Sequence, residues 1–217
     1  MFPTFGTLVN AGLVLAGSLV GLRFAHLIPN RLKSTVMHGI GLFTLLLGVK
    51  LLSENKPELL KVFFLIVVGS LLGSLLRLEE RLEGVAQRSS ELSKGFVSAS
   101  LLFTVGPITL MGCILEGARG DSSLIVSKAL MDGFSSILLS SSLGRGVLLS
   151  AFYVLLFQGF ITLLAYFYGE FLSQQSIANT LFVGGGLMVL TALKLLDVLK
   201  DVKLLNFMPA LLFALFV

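Results

Sequence analysis

The chain has no tryptophan, one cysteine, two histidines and only 13% charged residues over 217 positions. A soluble domain carries about 25% charged and about 45–50% apolar residues; here the apolar share is 55%. The charge deficit excludes an ordinary soluble domain and a disordered chain, and the lone Cys113 excludes a disulfide scaffold. No histidine pairs with that thiol at metal-ligand spacing, so neither a metal nor another cofactor is expected. What fills the chain instead is Leu, Val, Phe, Ala and 23 glycines, with a mean hydropathy of +0.97. That is the composition of packed transmembrane helices.

Charge-free runs mark the spans, ending at Arg23, Lys50, Arg77, Glu116, Glu170 and Lys194, with a last run over 204–217. The segment 122–144 is apolar and Ser-rich apart from Lys128 and Asp132. The expected fold is an all-α polytopic membrane protein of about eight segments, near 4–22, 36–53, 60–78, 97–115, 124–143, 147–167, 180–196 and 203–217. The last is short for a full crossing. The first 22 residues hold no Lys or Arg and no A-x-A site follows, so they read as a first span rather than a cleaved signal.

With the N-terminus outside, eleven of the sixteen basic residues fall on the inner side, which favours that orientation if the crossings number eight. The net charge of +4 is therefore a topology signal, and no nucleic-acid partner is expected. The one polar stretch, RLEERLEGVAQRSSELSK (77–94), reads as a solvated surface or interfacial helix joining two halves.

GTLVNA (6–11) can be set against GVLLSA (146–151), and GLFTLLLGVKLL (41–52) against GGLMVLTALKLL (185–196). The pattern divides the chain into a first three-span repeat (1–78), a polar connector (79–94), a central Ser/Gly-rich pair (95–144) and a second three-span repeat (145–217). Three crossings followed by two would invert the second repeat, an arrangement common in secondary transporters, whose substrates bind at the midplane.

Asp132 lies near the middle of its segment, with Lys128 four residues earlier on the same helical face. A carboxylate at that depth costs about 2.5–3.5 kcal/mol on insertion scales, so it faces protein or water and is a candidate for substrate or ion binding. The plainer alternative is an ion pair that locks its helix. Ser135 and Ser136 flank the same face, as hydroxyls for an ion or solute or as small residues for helix packing. In FVSASLLFTVGPITLMGCILEGARGD (96–121), Pro107 removes a backbone donor and disfavours helix at Gly106, so a kink or break is expected there, preceded by Ser98 and Ser100. Glu116 and Asp121 read as marking the outer mouth. Pro209 offers a second break beside Asn206, and Asn10 is polar within the first span. GSLVG (17–21) and GSLLG (69–73) suit close crossings or a homodimer, and GGG (184–186) could permit unwinding. An intramembrane enzyme finds little support: His26 and His38 stand at run edges, no HExxH occurs, and ARGD (118–121) lacks the first glycine of GxGD.

The block SASLLFTVGPITLMGCILEGARGDSSLIVSKALMDGFSSILLSSSLGRGVLLSA (98–151) resembles the signature of the YqgA-like family of bacterial inner-membrane proteins, a family built on a domain of unknown function. GTLVNAGLVLAGSLVG (6–21), GLFTLLLGVKLL (41–52) and NFMPALL (206–212) resemble its pattern too. The resemblance implies a bacterial inner-membrane protein serving in transport, and it brings neither a substrate nor functional residues.

The expected function is a secondary transporter moving a small polar solute (an amino acid, organic anion or ion) by alternating access, with Na⁺ or H⁺ as a coupling ion. The candidate site comprises Asp132, Lys128, Ser135, Ser136, Ser100, Gly106, Pro107, Asn10 and Asn206. A passive channel or a non-transporting scaffold shares most of these features.

Overall fold

The structure, a computed structural model, describes residues 3–27, 29–87, 91–104, 106–169, 172–199 and 201–217. Glu170, which ends one charge-free run, and Arg88 and Lys200, two of the eleven basic residues assigned to the inner side, lie outside the described residues. Among the described residues there are ten α-helices and no strand: α1 (Phe5–Arg23), α2 (Asn30–Glu54), α3 (Leu59–Leu75), α4 (Leu78–Gln87), α5 (Glu91–Thr104), α6 (Pro107–Arg119), α7 (Ser123–Leu143), α8 (Gly146–Tyr168), α9 (Gln174–Leu195) and α10 (Met208–Ala214). The protein is an all-α membrane protein, as expected.

Helix ends follow local chemistry. Pro107 opens α6 at a position whose N–H has no partner in any helix, and Gly120 closes it at φ 70°. Ser173 caps α9 by accepting from the Ser176 N–H at 2.9 Å. Gly144, at φ 74°, makes the tight turn from α7 into α8.

All eight expected apolar segments are present, but eight full crossings are not confirmed. Five helices (α1, α2, α7, α8 and α9) are long and apolar enough to span a bilayer. A sixth span results if α5 and α6 are counted together across their 57° bend. Helix α3 has 17 residues, roughly 25 Å at 1.5 Å per residue, against a hydrocarbon core of about 30 Å. The Leu204–Ala214 stretch is shorter still, a 3-10 turn (Leu204–Phe207) leading into α10, with Pro209 in the first turn of that helix.

The chain forms two compact units, Met1–Val36 with Leu82–Gly169, and Met37–Arg81 with Glu170–Val217. Each draws on both sequence halves. In the first, α1 runs parallel to α7 and antiparallel to α8. A Cβ at Gly17 would lie 2.2 Å from Ser136 Oγ and 2.3 Å from Gly133 O, and one at Gly21 would lie 2.1 Å from both Ile137 O and Ser140 Oγ. The α1 glycines thus admit backbone contact with the Ser/Gly face of α7. Val14, Ala99, Phe103, Val147, Ala151 and Val154 form the apolar core of this unit.

The second unit repeats the device. Gly41 of α2 packs against Leu195 and Leu196 beside α9, and Gly185 packs against Leu51 and Leu52. These contacts are reciprocal under the sequence match of 41–52 with 185–196, and they run antiparallel. Gly69 meets Ala210 and Gly73 meets Asn206, so both GxxxG faces are occupied within the chain. The GGG stretch does not unwind: α9 is continuous through it, and Gly185 lets the α2 backbone approach.

The polar connector is helical at its start, with Glu80 and Arg81 exposed. It contains α4, whose Glu79 is buried, and α5 begins within it at Glu91. Glu79 pairs with Lys194 at 2.9 Å and accepts from the Leu205 N–H at 3.0 Å. Next to it, Glu80 pairs with Lys203 on the surface. Many large apolar side chains are left exposed, such as Leu59, Leu60, Phe63, Phe64 and Leu75 on α3 and Phe152, Phe160 and Phe167 on α8. Such faces suit hydrocarbon as their surroundings.

Gly17→Ala and Gly21→Ala are each expected to destabilise the detergent-solubilised protein by about 1–3 kcal/mol through overpacking. Gly12→Ala on the same helix, where a Cβ meets nothing within 4 Å, should leave the unfolding midpoint unchanged or raised. The hydrogen bond from Lys203 holds the Glu80 carboxyl below its ordinary value of 4.5. A lowered carboxylate favours the fold above that value, and the benefit disappears as pH falls through the folded-state value. The midpoint difference between wild type and Glu80→Gln should therefore be constant at neutral pH and vanish in acid.

Candidate functional site

The site is built from the break between α5 and α6. Within a helix, the carbonyl of Phe103 would accept the N–H of residue 107, but that residue is proline and has none. The freed carbonyl accepts from Lys128 Nζ at 2.8 Å and from Thr109 Oγ1 at 3.1 Å. Gly106, extended at φ −178°, carries the chain across the bend. Lys128, one turn before Asp132 on α7, also pairs directly with the Asp132 carboxylate, and both side chains are buried.

Asp132 reaches a third helix. Asn10 of α1 donates through Nδ2 to Asp132 Oδ2 at 3.0 Å and to Gln158 Oε1 of α8 at 3.1 Å. A polar chain therefore runs from the Phe103 carbonyl through Lys128, Asp132 and Asn10 to Gln158, joining four helix segments. It is incompletely satisfied: Asn10 Oδ1, Gln158 Nε2 and Ser100 Oγ are buried without a hydrogen-bond partner. Buried polar atoms in native proteins are paired in the great majority of cases, so these three are positions for water or a small polar guest.

Of the nine candidates, five meet at this chain or its supporting break: Asp132, Lys128, Asn10, Gly106 and Pro107. Ser100 lies one turn before Phe103 on α5. Ser136 donates to Gly133 O at 2.7 Å and sits in the α1 crossing, while Ser135 is buried on α7. Asn206 belongs to the second unit, where its Oδ1 accepts from the Glu79 N–H at 3.4 Å.

Two residues escaped the sequence reading. Gln158 is the only amide in the long apolar run of α8, a signal as legible as Asn10 but passed over. Glu116 was expected at an outer mouth and is instead buried at 1% exposure, accepting the Gly6 N–H of the first turn of α1 through Oε1. Its position at the end of a charge-free run disguised it as a boundary marker. Near it, Thr7 and Thr162 bring their hydroxyls to 3.5 Å across α1 and α8.

A family model described as "Protein of unknown function (DUF554)" matches residues 5–217. The chain belongs to the DUF554 family. It is similar to "Uncharacterized membrane protein YdfK" of Bacillus subtilis (strain 168), with 30% identity over 96% of this chain and 93% of the relative. It is also similar to "Uncharacterized protein YqgA" of Escherichia coli (strain K12), with 25% identity over 96% and 94% of the two chains. No solved structure matches this DUF554 chain.

Removing one partner of a buried pair leaves an uncompensated charge and costs about 3–5 kcal/mol. Lys128→Met and Asp132→Leu are each expected to lower resistance to denaturant on this scale. The double variant Lys128→Met/Asp132→Leu should recover most of the loss, as read from unfolding curves in detergent.

Proposed function

We propose that this DUF554 protein is a secondary transporter of the bacterial inner membrane, moving a small polar solute (an amino acid, organic anion or ion) by alternating access. The carrying observation is the polar chain at the α5–α6 break, with unpartnered donor and acceptor atoms on Gln158 and Asn10 beside the Lys128–Asp132 pair. Ionisable groups within membrane segments default to transport and relay roles, and discontinuous helices present freed backbone groups where transporters bind substrates.

Inverted repeats are part of the proposal. The matched helices α1 and α8 run antiparallel, with Asn10 opposite Gln158 and Thr7 opposite Thr162. The matched helices α2 and α9 cross with reciprocal contacts, Gly41 on Leu195 and Leu196, and Gly185 on Leu51 and Leu52. Within each unit, a local pseudo-two-fold axis perpendicular to the paired helices accounts for the antiparallel pairing. Such an axis gives two exchangeable arrangements of one fold, which is the basis of alternating access. The N-terminus lies outside on the basic-residue count, and Na⁺ or H⁺ serves as the coupling ion. A homodimer would use faces other than the two GxxxG stripes, which this chain fills itself.

A non-transporting scaffold is the second reading, favoured by one observation: Lys128 and Asp132 are buried against each other. The readings separate experimentally. A thermal-shift screen of metabolites and ions finds the ligand, because binding stabilises the state that binds. In proteoliposomes, Asp132→Asn is then expected to reduce accumulation of that ligand at least tenfold and to abolish its dependence on a pH or Na⁺ gradient. Accumulation and gradient dependence identical to wild type would exclude Asp132 from coupling.

A further inference from the structure

The first unit gathers cations at one end. Residues 1–36 hold Arg23, Arg31 and Lys33, residues 133–169 hold Arg145, and neither stretch contains an Asp or Glu. The fold brings these four to one place. A Cβ on Gly21 would touch Ile137 O and Ser140 Oγ, which sets the end of α1, with Arg23, beside the end of α7. Lys33, in the first turn of α2, donates through Nζ to Ser142 Oγ at 2.6 Å, so Arg31 stands at the same end. Arg145 follows Ser142 across the Gly144 turn and opens α8. The start of α5 also reaches this end, where a Cβ on Gly95 would lie 2.7 Å from Leu143 O. It brings one residue of each sign, Glu91 and Lys94, so the excess stays at four positive charges. Arg23, Arg31 and Arg145 are exposed, and none of the four cations makes an ion pair among the described residues. Two exposed apolar tracks lead away from the arginines. Leu19 and Leu15 lie one and two turns before Arg23 on the same face of α1, and Leu149, Phe152 and Leu156 follow Arg145 at helical spacing on α8.

We propose that this end of the first unit binds an anionic phospholipid, with the charged headgroup among Arg23, Arg31, Lys33 and Arg145 and the acyl chains on the apolar tracks of α1 and α8. Like charges held together without a counter-charge repel one another, and an anion placed among them removes that cost. The guanidinium fork matches phosphate oxygens, and basic clusters beside membrane helices attract anionic headgroups. The N-termini of α2 and α8 add partial positive charge at the same end. A free phosphate ion would leave the apolar tracks unused, whereas a lipid uses the cations and the tracks together. A zwitterionic lipid brings its own ammonium, which four cations repel. The proposal concerns a surface of the unit apart from its buried polar chain, and it holds whether or not the protein is a transporter.

The test uses the full-length protein in a nonionic detergent and needs no transport assay. Dioctanoyl-phosphatidylglycerol should raise the thermal unfolding midpoint, while dioctanoyl-phosphatidylcholine and inorganic phosphate at the same concentration should leave it in place. Arg23→Gln and Arg145→Gln should each weaken the apparent affinity for phosphatidylglycerol about fivefold, and added salt should weaken binding to the wild type. Arg145→Lys keeps the charge and should retain most of the affinity. Lys56→Gln, which removes a cation outside the cluster, should retain all of it. The comparison of the three ligands uses the wild type, so it stands even where a variant fails to fold. An equal midpoint shift with phosphatidylcholine would overturn the proposal, as would wild-type affinity in the Arg23→Gln/Arg145→Gln double variant. A shift of the same size with inorganic phosphate would also overturn it, replacing the lipid with a free-phosphate site.

Discussion

The missing N–H of Pro107 is the constraint on which the first unit depends. A helix through this point would leave the Phe103 carbonyl without its donor, and in a bilayer no water replaces it. The protein supplies the Lys128 ammonium and the Thr109 hydroxyl instead. A buried ammonium requires a counter-charge, which is Asp132, and a buried carboxylate requires further donors, which brings in Asn10 and through it Gln158. One backbone vacancy therefore sets the identities of side chains on three other helices. A chain of this kind is rigid while every member is paired, and its unpaired atoms are Asn10 Oδ1 and Gln158 Nε2.

Around that chain the packing relies on small residues rather than on apolar burial, because lipid tails are as apolar as leucine. Glycine on one helix faces glycine, serine or a backbone carbonyl on the next, as at Gly17 with Gly133 and Ser136, Gly48 with Gly185, and Gly73 with Asn206. Phe103, Met111, Ile125 and Met188 are buried, while many other large apolar side chains are turned outward, where hydrocarbon is their solvent. The same rule explains why Ser136 and Ser140 are spent on the α1 crossing: each hydroxyl returns to its own helix, Ser136 to Gly133 and Ser140 to Ile137. What the serine cluster provides is closeness of approach.

Much of this was legible in the linear chain. The eight apolar segments, the break at Gly106–Pro107 and the Lys128–Asp132 pair follow from hydropathy, proline chemistry and the four-residue helical repeat. The errors have equally physical causes. Hydropathy runs locate apolar segments without measuring helix length, so the short α3 and α10 leave eight full crossings unconfirmed. A glycine triplet can loosen a helix or let a neighbour touch it, and only the presence of α2 beside Gly185 chooses between them. Glu79 and Glu116 look like ordinary solvated charges, because a buried partner far away in sequence leaves no local trace.

The sequence by itself determined that this chain lives in a bilayer, where its apolar segments lie, and that one carboxylate–ammonium pair would be buried among them. These are local properties, fixed by neighbours within a turn or two of helix. The tertiary structure alone decided which helices share a polar chain, that α1 and α8 meet antiparallel through Asn10 and Gln158, and that Glu116 closes on the first turn of α1. Those pairings span more than a hundred residues, and satisfying buried hydrogen bonds away from water is a condition on the whole fold.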